Sequence, residues 1–233
     1  MYIASTCRPD IAFATFRLSR HMAHPGSDVR ARARRILLYL LRTKAMGITY
    51  GGMPPGEGMK LTATYAPFGL GPEGPPGSGM LACVDASWEV SASTTGYLIF
   101  LNGAAIQWSS RKQPGVHLDT TGTEVHAASA CVAELVHERG AKAELGYPSP
   151  GPTDVWCDNA GAVAIAKDSA SVNRAKHIIR RARFLQQCTE GNEVKVQYIS
   201  TDRQPADILT KPLDRIKFVK FRDYIMNSKC QAT

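Results

Sequence analysis

The order of apolar and polar positions divides the chain into three stretches. Up to about residue 50 the pattern is helical. Ile11, Phe13, Ala14, Phe16 and Leu18 come first, then a run over residues 27–42 in which Ile36, Leu37, Leu40 and Leu41 share one face. Ser27 and Asp28 are the candidate N-cap ahead of Val29. Over residues 51–80 half of the positions are Gly or Pro, too little apolar density to offset ordering entropy, which predicts a linker with one short strand at 60–65. From Leu81 onward the pattern reads strand, strand, strand, helix, strand, helix, helix, strand, helix. The strands are predicted at 81–84, 96–101, 105–109, 154–157 and 194–199, and Asn102-Gly103 supplies a hairpin turn between the second and third. Helices are predicted at 120–145, closed by Gly146, at 160–167 and 175–189, and from Pro205 to Thr210 with Pro in the first turn. An antiparallel start followed by alternating helices and strands implies an α/β fold, a mixed sheet covered by helices.

Composition narrows the class. At roughly 150 residues per domain, 233 residues make one to two domains, and 44% apolar with 21% charged residues excludes a disordered chain, a collagen and a coiled coil. Net charge is 28 − 20 = +8 with a pI near 9.3, which favours a polyanionic partner such as nucleic acid or an acidic membrane face. A basic protein without such a partner is the other reading. Arg30, Arg34 and Arg35 make the second helical run basic and amphipathic, as a solvated face or as a phosphate contact. The longest apolar runs, such as 36–41, fall far short of the ~20 residues that span a bilayer, and no secretory pattern opens the chain, so an intracellular protein is expected. The six cysteines form no C-x-x-C pair or zinc-ligand cluster; Cys83, Cys131 and Cys157 sit in apolar runs and are expected as reduced core residues.

Four acids stand where packing alone would not put them. Asp85 ends the run 81–84 and Asp158 follows Val155-Trp156-Cys157, so both emerge at the carboxyl ends of buried strands, where open sheets bind ligands. Glu124 heads the apolar stripe Ala127, Ala128, Cys131, Leu135, a costly place for an acid unless it is paired or binds a metal. Glu134 and Glu138 read as solvated. Asp207 lies in the first turn after Pro205. Singly each acid has an ordinary reading as a turn former or a dipole partner; together they suit a hard cation such as magnesium.

The order of motifs carries a resemblance. Tyr2-Ile-Ala-Ser-Thr-Cys-Arg-Pro-Asp-Ile11 and Arg34-Arg-Ile-Leu-Leu-Tyr-Leu40 resemble the end of the reverse transcriptase region in copia-type retrotransposon Pol polyproteins. Val84-Asp-Ala-Ser-Trp88, Thr94-Thr-Gly-Tyr97, Ile106-Gln-Trp-Ser-Ser-Arg-Lys-Gln113, Thr120-Thr-Gly-Thr-Glu124, Trp156-Cys-Asp-Asn159, Arg174-Ala-Lys-His-Ile178 and Ala206-Asp-Ile-Leu-Thr-Lys-Pro-Leu213 resemble the ribonuclease H domain that follows it. The resemblance implies a ribonuclease H-like mixed five-stranded sheet flanked by helices at 81–213. A small helical remnant of the reverse transcriptase is expected at 1–50, the linker at 51–80, and a C-terminal helix and tail at 214–233. The chain departs from the family at Ser87, where a second Asp is usual, and at Gly122, Val125 and Ile179. No polymerase Y-x-D-D motif occurs. The chain reads as the tail of a polyprotein, with Met1 as an internal methionine.

The family's metal-binding acids fall on Asp85, Glu124, Asp158 and Asp207. They imply hydrolysis of the RNA strand of an RNA–DNA hybrid with two Mg2+ ions, for which Mn2+ can substitute. Asp85 is expected to bridge the ions, with Glu124 and Asp158 on one and Asp207 on the other. Ser87 and Asn159 are candidates for reading the 2′-hydroxyl, and Arg111, Lys112, Arg174, Lys176 and Lys211 for phosphate contact. The other reading is a decayed or host-adopted fragment that only binds nucleic acid. A 3′-exonuclease or integrase of the same fold fits the motif strings less well. His117 and His177 read as structural or surface residues, and Trp88, Trp108 and Trp156 as core. The expected partners are the hybrid and the reverse transcriptase core of a parent polyprotein, with no membrane, in a cytoplasmic virus-like particle or the nucleus.

Overall fold

The computed structural model describes residues 1–50, 79–89, 93–115, 119–168 and 178–227. In chain order the helical start comprises α1 (Tyr2–Thr6), a 3-10 turn (Pro9–Ile11), α2 (Ala12–Ser19) and α3 (Ser27–Arg42). The sheet then begins with β1 (Met80–Ser87), β2 (Thr94–Leu101) and β3 (Ala104–Lys112). After these come α4 (Thr120–Glu144), β4 (Thr153–Cys157), α5 (Ala160–Lys167), α6 (Ile179–Glu190) and β5 (Val194–Tyr198), then 3-10 turns at Thr201–Arg203 and Pro205–Leu209, and α7 (Arg215–Ile225). No helix among the described residues is long and apolar enough to cross a membrane.

The five strands run in the order β3-β2-β1-β4-β5, antiparallel across β1–β2 and β2–β3 and parallel across β1–β4 and β4–β5. This is the expected ribonuclease H-like arrangement. The β2–β3 turn is made by Asn102 and Gly103, both in the left-handed region at φ 50° and 85°, the type I′ geometry that an Asn-Gly pair favours.

Period-two alternation sends successive side chains of β1 to opposite faces of the sheet. Met80, Ala82 and Val84 join a core under α4, α5 and α6 with Val125, Val132, Leu135 and Leu185. Leu81 and Cys83 join a second core with Leu98, Phe100, Leu209, Phe221 and Ile225. Burial on both faces explains the unbroken apolar run that precedes Asp85. Cys83, Cys131 and Cys157 are buried as expected, and burial raises the thiol of each.

Several sequence expectations need correction. The strand at β1 continues past Asp85 to Ser87, held by antiparallel pairing with β2. The helix over residues 27–42 starts at Ser27 itself after Gly26, with no side-chain cap; Asp28 instead pairs with Arg32 one turn on. Its predicted apolar face is split: Ile36 and Leu40 are half-buried, whereas Leu37 and Leu41 are exposed. Asp119 caps α4 by accepting from the Gly122 amide. The helix expected at 175–189 is described from Ile179, and the helix at Pro205 is a 3-10 turn that ends at Leu209. Glu134 is half-buried and accepts a hydrogen bond from Gln107 at 2.9 Å. Trp108 and Trp156 pack on the second core, but Trp88 is largely exposed because the sheet ends one residue before it. The strand predicted at 60–65, His117, His177 and the tail beyond Asn227 lie outside the described residues.

Candidate active site

Asp85 has the strand parity of Leu81 and Cys83, so it faces the second core, where the Pro205–Leu209 turn passes. That turn can come so close because residue 96, opposite Asp85 on β2, is Gly. A Cβ there would lie 2.5 Å from Thr210 Cγ2 and 2.9 Å from Leu209 Cβ. The approach delivers Asp207, fully buried, and Thr210, whose hydroxyl donates to Asp85 Oδ2.

Gln204, just before the turn, fixes the strand ends. Its fully buried amide nitrogen donates to the carbonyls of Val84 at 2.9 Å and Trp156 at 3.2 Å, the residues just ahead of Asp85 and Cys157. One side chain thus holds β1 and β4 in step where their acids emerge. Asp158 lies one residue past β4, and Thr201 donates to its Oδ2 at 2.9 Å.

Glu124 arrives from the other face of the sheet, on the first turns of α4. Gln113 locks that end of the helix by donating to Thr123 O at 2.9 Å and Thr95 Oγ1 at 3.0 Å. Cys157, which has the parity of the first core, places its Sγ 3.8 Å from Glu124 Oε2.

Ligand atoms of Asp85, Asp158 and Asp207 lie within 4.8 Å of one another, as do those of Glu124, Cys157 and Asp158. Asp158 is the member common to both groups. The structure therefore brings together all four acids singled out in the sequence. Their electrostatics are those of crowded carboxylates removed from water. Burial, then the neighbouring acids, pushes the Asp85 carboxyl up to about 7 and Glu124 well above the usual range, and burial also raises Asp158. Cations offset this charge. Lys211 Nζ is 2.8 Å from Asp207 Oδ1 and 3.6 Å from Asp85 Oδ2, and Lys217 Nζ is 2.6 Å from Asp207 Oδ2.

The remaining candidates are placed differently. Arg111 and Lys112 are exposed at the end of β3. Asn159 spends its side-chain oxygen capping α5, accepting from the Ala162 amide at 2.9 Å. Ser87 Oγ is buried with no hydrogen-bond partner among the described residues. Lys211 lies among the acids, and Arg174 and Lys176 fall outside the described residues. Sequence reasoning missed Thr201, Gln204, Thr210 and Lys217. Thr210 acts on Asp85, 125 positions away in the chain, and Lys217 reaches Asp207 from a separate helix, so no local spacing marks either residue.

No family model matches the chain. It is 32% identical over 224 residues to the Retrovirus-related Pol polyprotein from transposon RE2 of Arabidopsis thaliana, a match covering 94% of this chain and 14% of that protein. It is 32% identical over 218 residues to the Retrovirus-related Pol polyprotein from transposon TNT 1-94 of Nicotiana tabacum, covering 94% of this chain and 15% of that protein. The chain thus spans about a seventh of the length of these curated relatives. Among solved structures, the N-terminal RNase H domain of Rv2228c from Mycobacterium tuberculosis, fused to maltose-binding protein, aligns with a TM-score of 0.40 at 11% identity, covering 66% of this chain and 96% of that chain.

Proposed function

Because the chain belongs to the family of copia-type retrotransposon Pol polyproteins and carries a ribonuclease H-like domain, we propose that it hydrolyses the RNA strand of RNA–DNA hybrids with divalent-ion assistance. The observation that carries this reading is the convergence of Asp85, Glu124, Asp158 and Asp207 from four separate elements onto one sheet end.

The residues fit a hard divalent cation. The donor set is oxygen-rich, the carboxylates are buried beside one another, and the acid groove they form at the sheet end already holds an ammonium, Lys211, against two of them. Ions held there would neutralise the scissile phosphate and activate the attacking water. The protein's own part is to hold the acids. Gln204 fixes the backbone ahead of Asp85, Thr210 and Thr201 orient one oxygen each of Asp85 and Asp158, and the lysines hold both oxygens of Asp207. In the reaction a water oxygen bonds to phosphorus while the bond from phosphorus to the departing ribose oxygen breaks.

Asp85, Glu124, Asp158 and Asp207 would hold the ions, with Asp85 the ligand that two ions would share; Asp158, common to both groups of ligand atoms, would contribute to each. Arg111 and Lys112 are proposed to contact backbone phosphate, as are Arg174 and Lys176; Asn159, through the amide nitrogen that its cap does not use, and Ser87 are the proposed 2′-hydroxyl readers. Mg2+ is the proposed ion, with Mn2+ as substitute, and a reverse transcriptase core the proposed protein partner. A virus-like particle or the nucleus is the proposed location.

The test is a labelled RNA–DNA hybrid incubated with the full chain in Mg2+ and in chelator. Cleavage is expected with the ion alone. Asp85→Asn and Asp158→Asn should each lower the rate by more than the ~10–100-fold typical of losing a merely supporting contact. Hybrid binding without any ion-dependent cleavage would replace this reading by a nucleic-acid-binding fragment.

A further inference from the structure

The two lysines at Asp207 are held very differently. Lys217 is part of the frame. It is the third residue of α7, its amide donates to the Asp214 cap at 3.0 Å, and its ammonium also donates to the Thr201 carbonyl at 3.0 Å. The same ammonium lies 5.4 Å from the centre of the Phe221 ring. Lys211 follows the 3-10 turn, its side chain is 35% exposed, and its ion-pair partners are the two carboxylates of Asp207 and Asp85. It occupies the space between two acids of the group whose ligand atoms converge within 4.8 Å.

A divalent ion drawing on those oxygens would compete with an ammonium already 2.8 Å from one and 3.6 Å from the other. Two cations held side by side on buried carboxylates would also repel each other.

Resting on the ion-assisted reading above, we infer that Lys211 is a displaceable internal cation: it holds Asp85 and Asp207 in place before an ion arrives, and swings out of the groove when one binds. Lys217 stays on Asp207 throughout and is a positioning residue. The released Lys211 ammonium then lies at the rim of the groove, where it meets the phosphate of an incoming nucleic-acid strand. The lysine therefore serves the acids and the substrate in turn, one role being available only when the other ends.

The arrangement is tested on the full chain without any substrate. Lysine side chains are labelled with an amine-reactive ester, with and without Mg2+, and each site's labelling rate is read by mass spectrometry, while calorimetry measures ion binding in parallel. Lys211 labelling is expected to rise severalfold with the ion while Lys217 labelling stays constant. Lys211→Met should tighten ion binding by about tenfold, the size of effect expected when a competing state is removed, and should raise KM for the hybrid more than it lowers kcat. Lys217→Met should weaken ion binding, because Asp207 loses its fixed partner. If calorimetry shows ion binding but Lys211 labelling is unchanged or falls, the displacement is overturned and the nuclease reading stands. If no ion binds to the chain or to either variant, both fall.

Discussion

Asp85 is where the needs of the site and of the fold conflict most directly. In the unfolded chain its carboxyl titrates near 4, whereas burial pushes it to about 7 in the folded protein. The folded state therefore binds a proton that the unfolded state has already released. Its contribution to stability is complete below about pH 4, declines as pH rises and is gone above about 7. Burial raises Glu124 and Asp158 in the same direction. With a chelator present, the melting temperature should fall between pH 5 and pH 8, and Asp85→Asn should flatten the slope. At pH 8, a divalent ion at a hundred times its Kd should restore ~2.7 kcal/mol by mass action. A melting temperature that rises from pH 5 to pH 8 would show that the acids are already compensated inside the folded chain. The same residue shows how far the sequence could be read. Asp85 and Asp158 stand out because each interrupts a buried apolar run, and Glu124 because it heads an apolar stripe. Thr210, Gln204 and Lys217 give no such signal. Their roles come from a tertiary approach spanning 125, 120 and 10 positions respectively, and a polar residue in a turn looks the same whether or not it has a distant partner.

Among the elements, the Pro205–Leu209 turn depends on β2 for its place. Gly96→Ala would put a methyl group at 2.5–2.9 Å from the side chains of Thr210 and Leu209 and 3.3 Å from the Ala206 carbonyl. The turn would have to lift off the sheet, carrying Asp207 and Thr210 away from Asp85. Overpacking of this kind costs about 1–3 kcal/mol, so urea unfolding should show that loss together with weaker ion binding; unchanged values of both would show that the turn accommodates the methyl. Strand order and the hairpin were legible because Asn102-Gly103 and the alternation of apolar runs with helical stripes are local signals. The split face of α3 was not. Helical periodicity groups Leu37 and Leu41 with Ile36 and Leu40, and only packing against α2 and α7 decides which pair is covered.

For the molecule as a whole, the first fifty residues lie against the ribonuclease H-like sheet through polar as well as apolar contacts. Trp108 Nε1 donates to Ala4 O at 2.7 Å, and Arg17 forms two hydrogen bonds with Glu89. A buried Arg8–Asp10 pair, capped by the Tyr39 hydroxyl at 2.6 Å, ties the first turn to α3. The segment also closes onto the end of α7, where Thr49 donates to Met226 O and Asn227 donates to Thr49 O, each at 3.0 Å. At Tyr50 the phenol donates to Ala105 O, and at Gly79 the carbonyl accepts from Asn102, so residues 50 and 79 are both fastened to the β2–β3 hairpin. Asp85 lies six residues further along β1, about 20 Å away at the usual strand rise. Both anchor points therefore lie at a single corner of the sheet, remote from the acids. A chain in which residues 51–78 are replaced by a short Gly-Ser bridge should keep its ion affinity and cleavage rate, since closing a shorter loop changes stability by only a few tenths of a kcal/mol up to ~1 kcal/mol. A change of chain length between those anchors leaves untouched the strand pairing that carries Asp85 and Asp158.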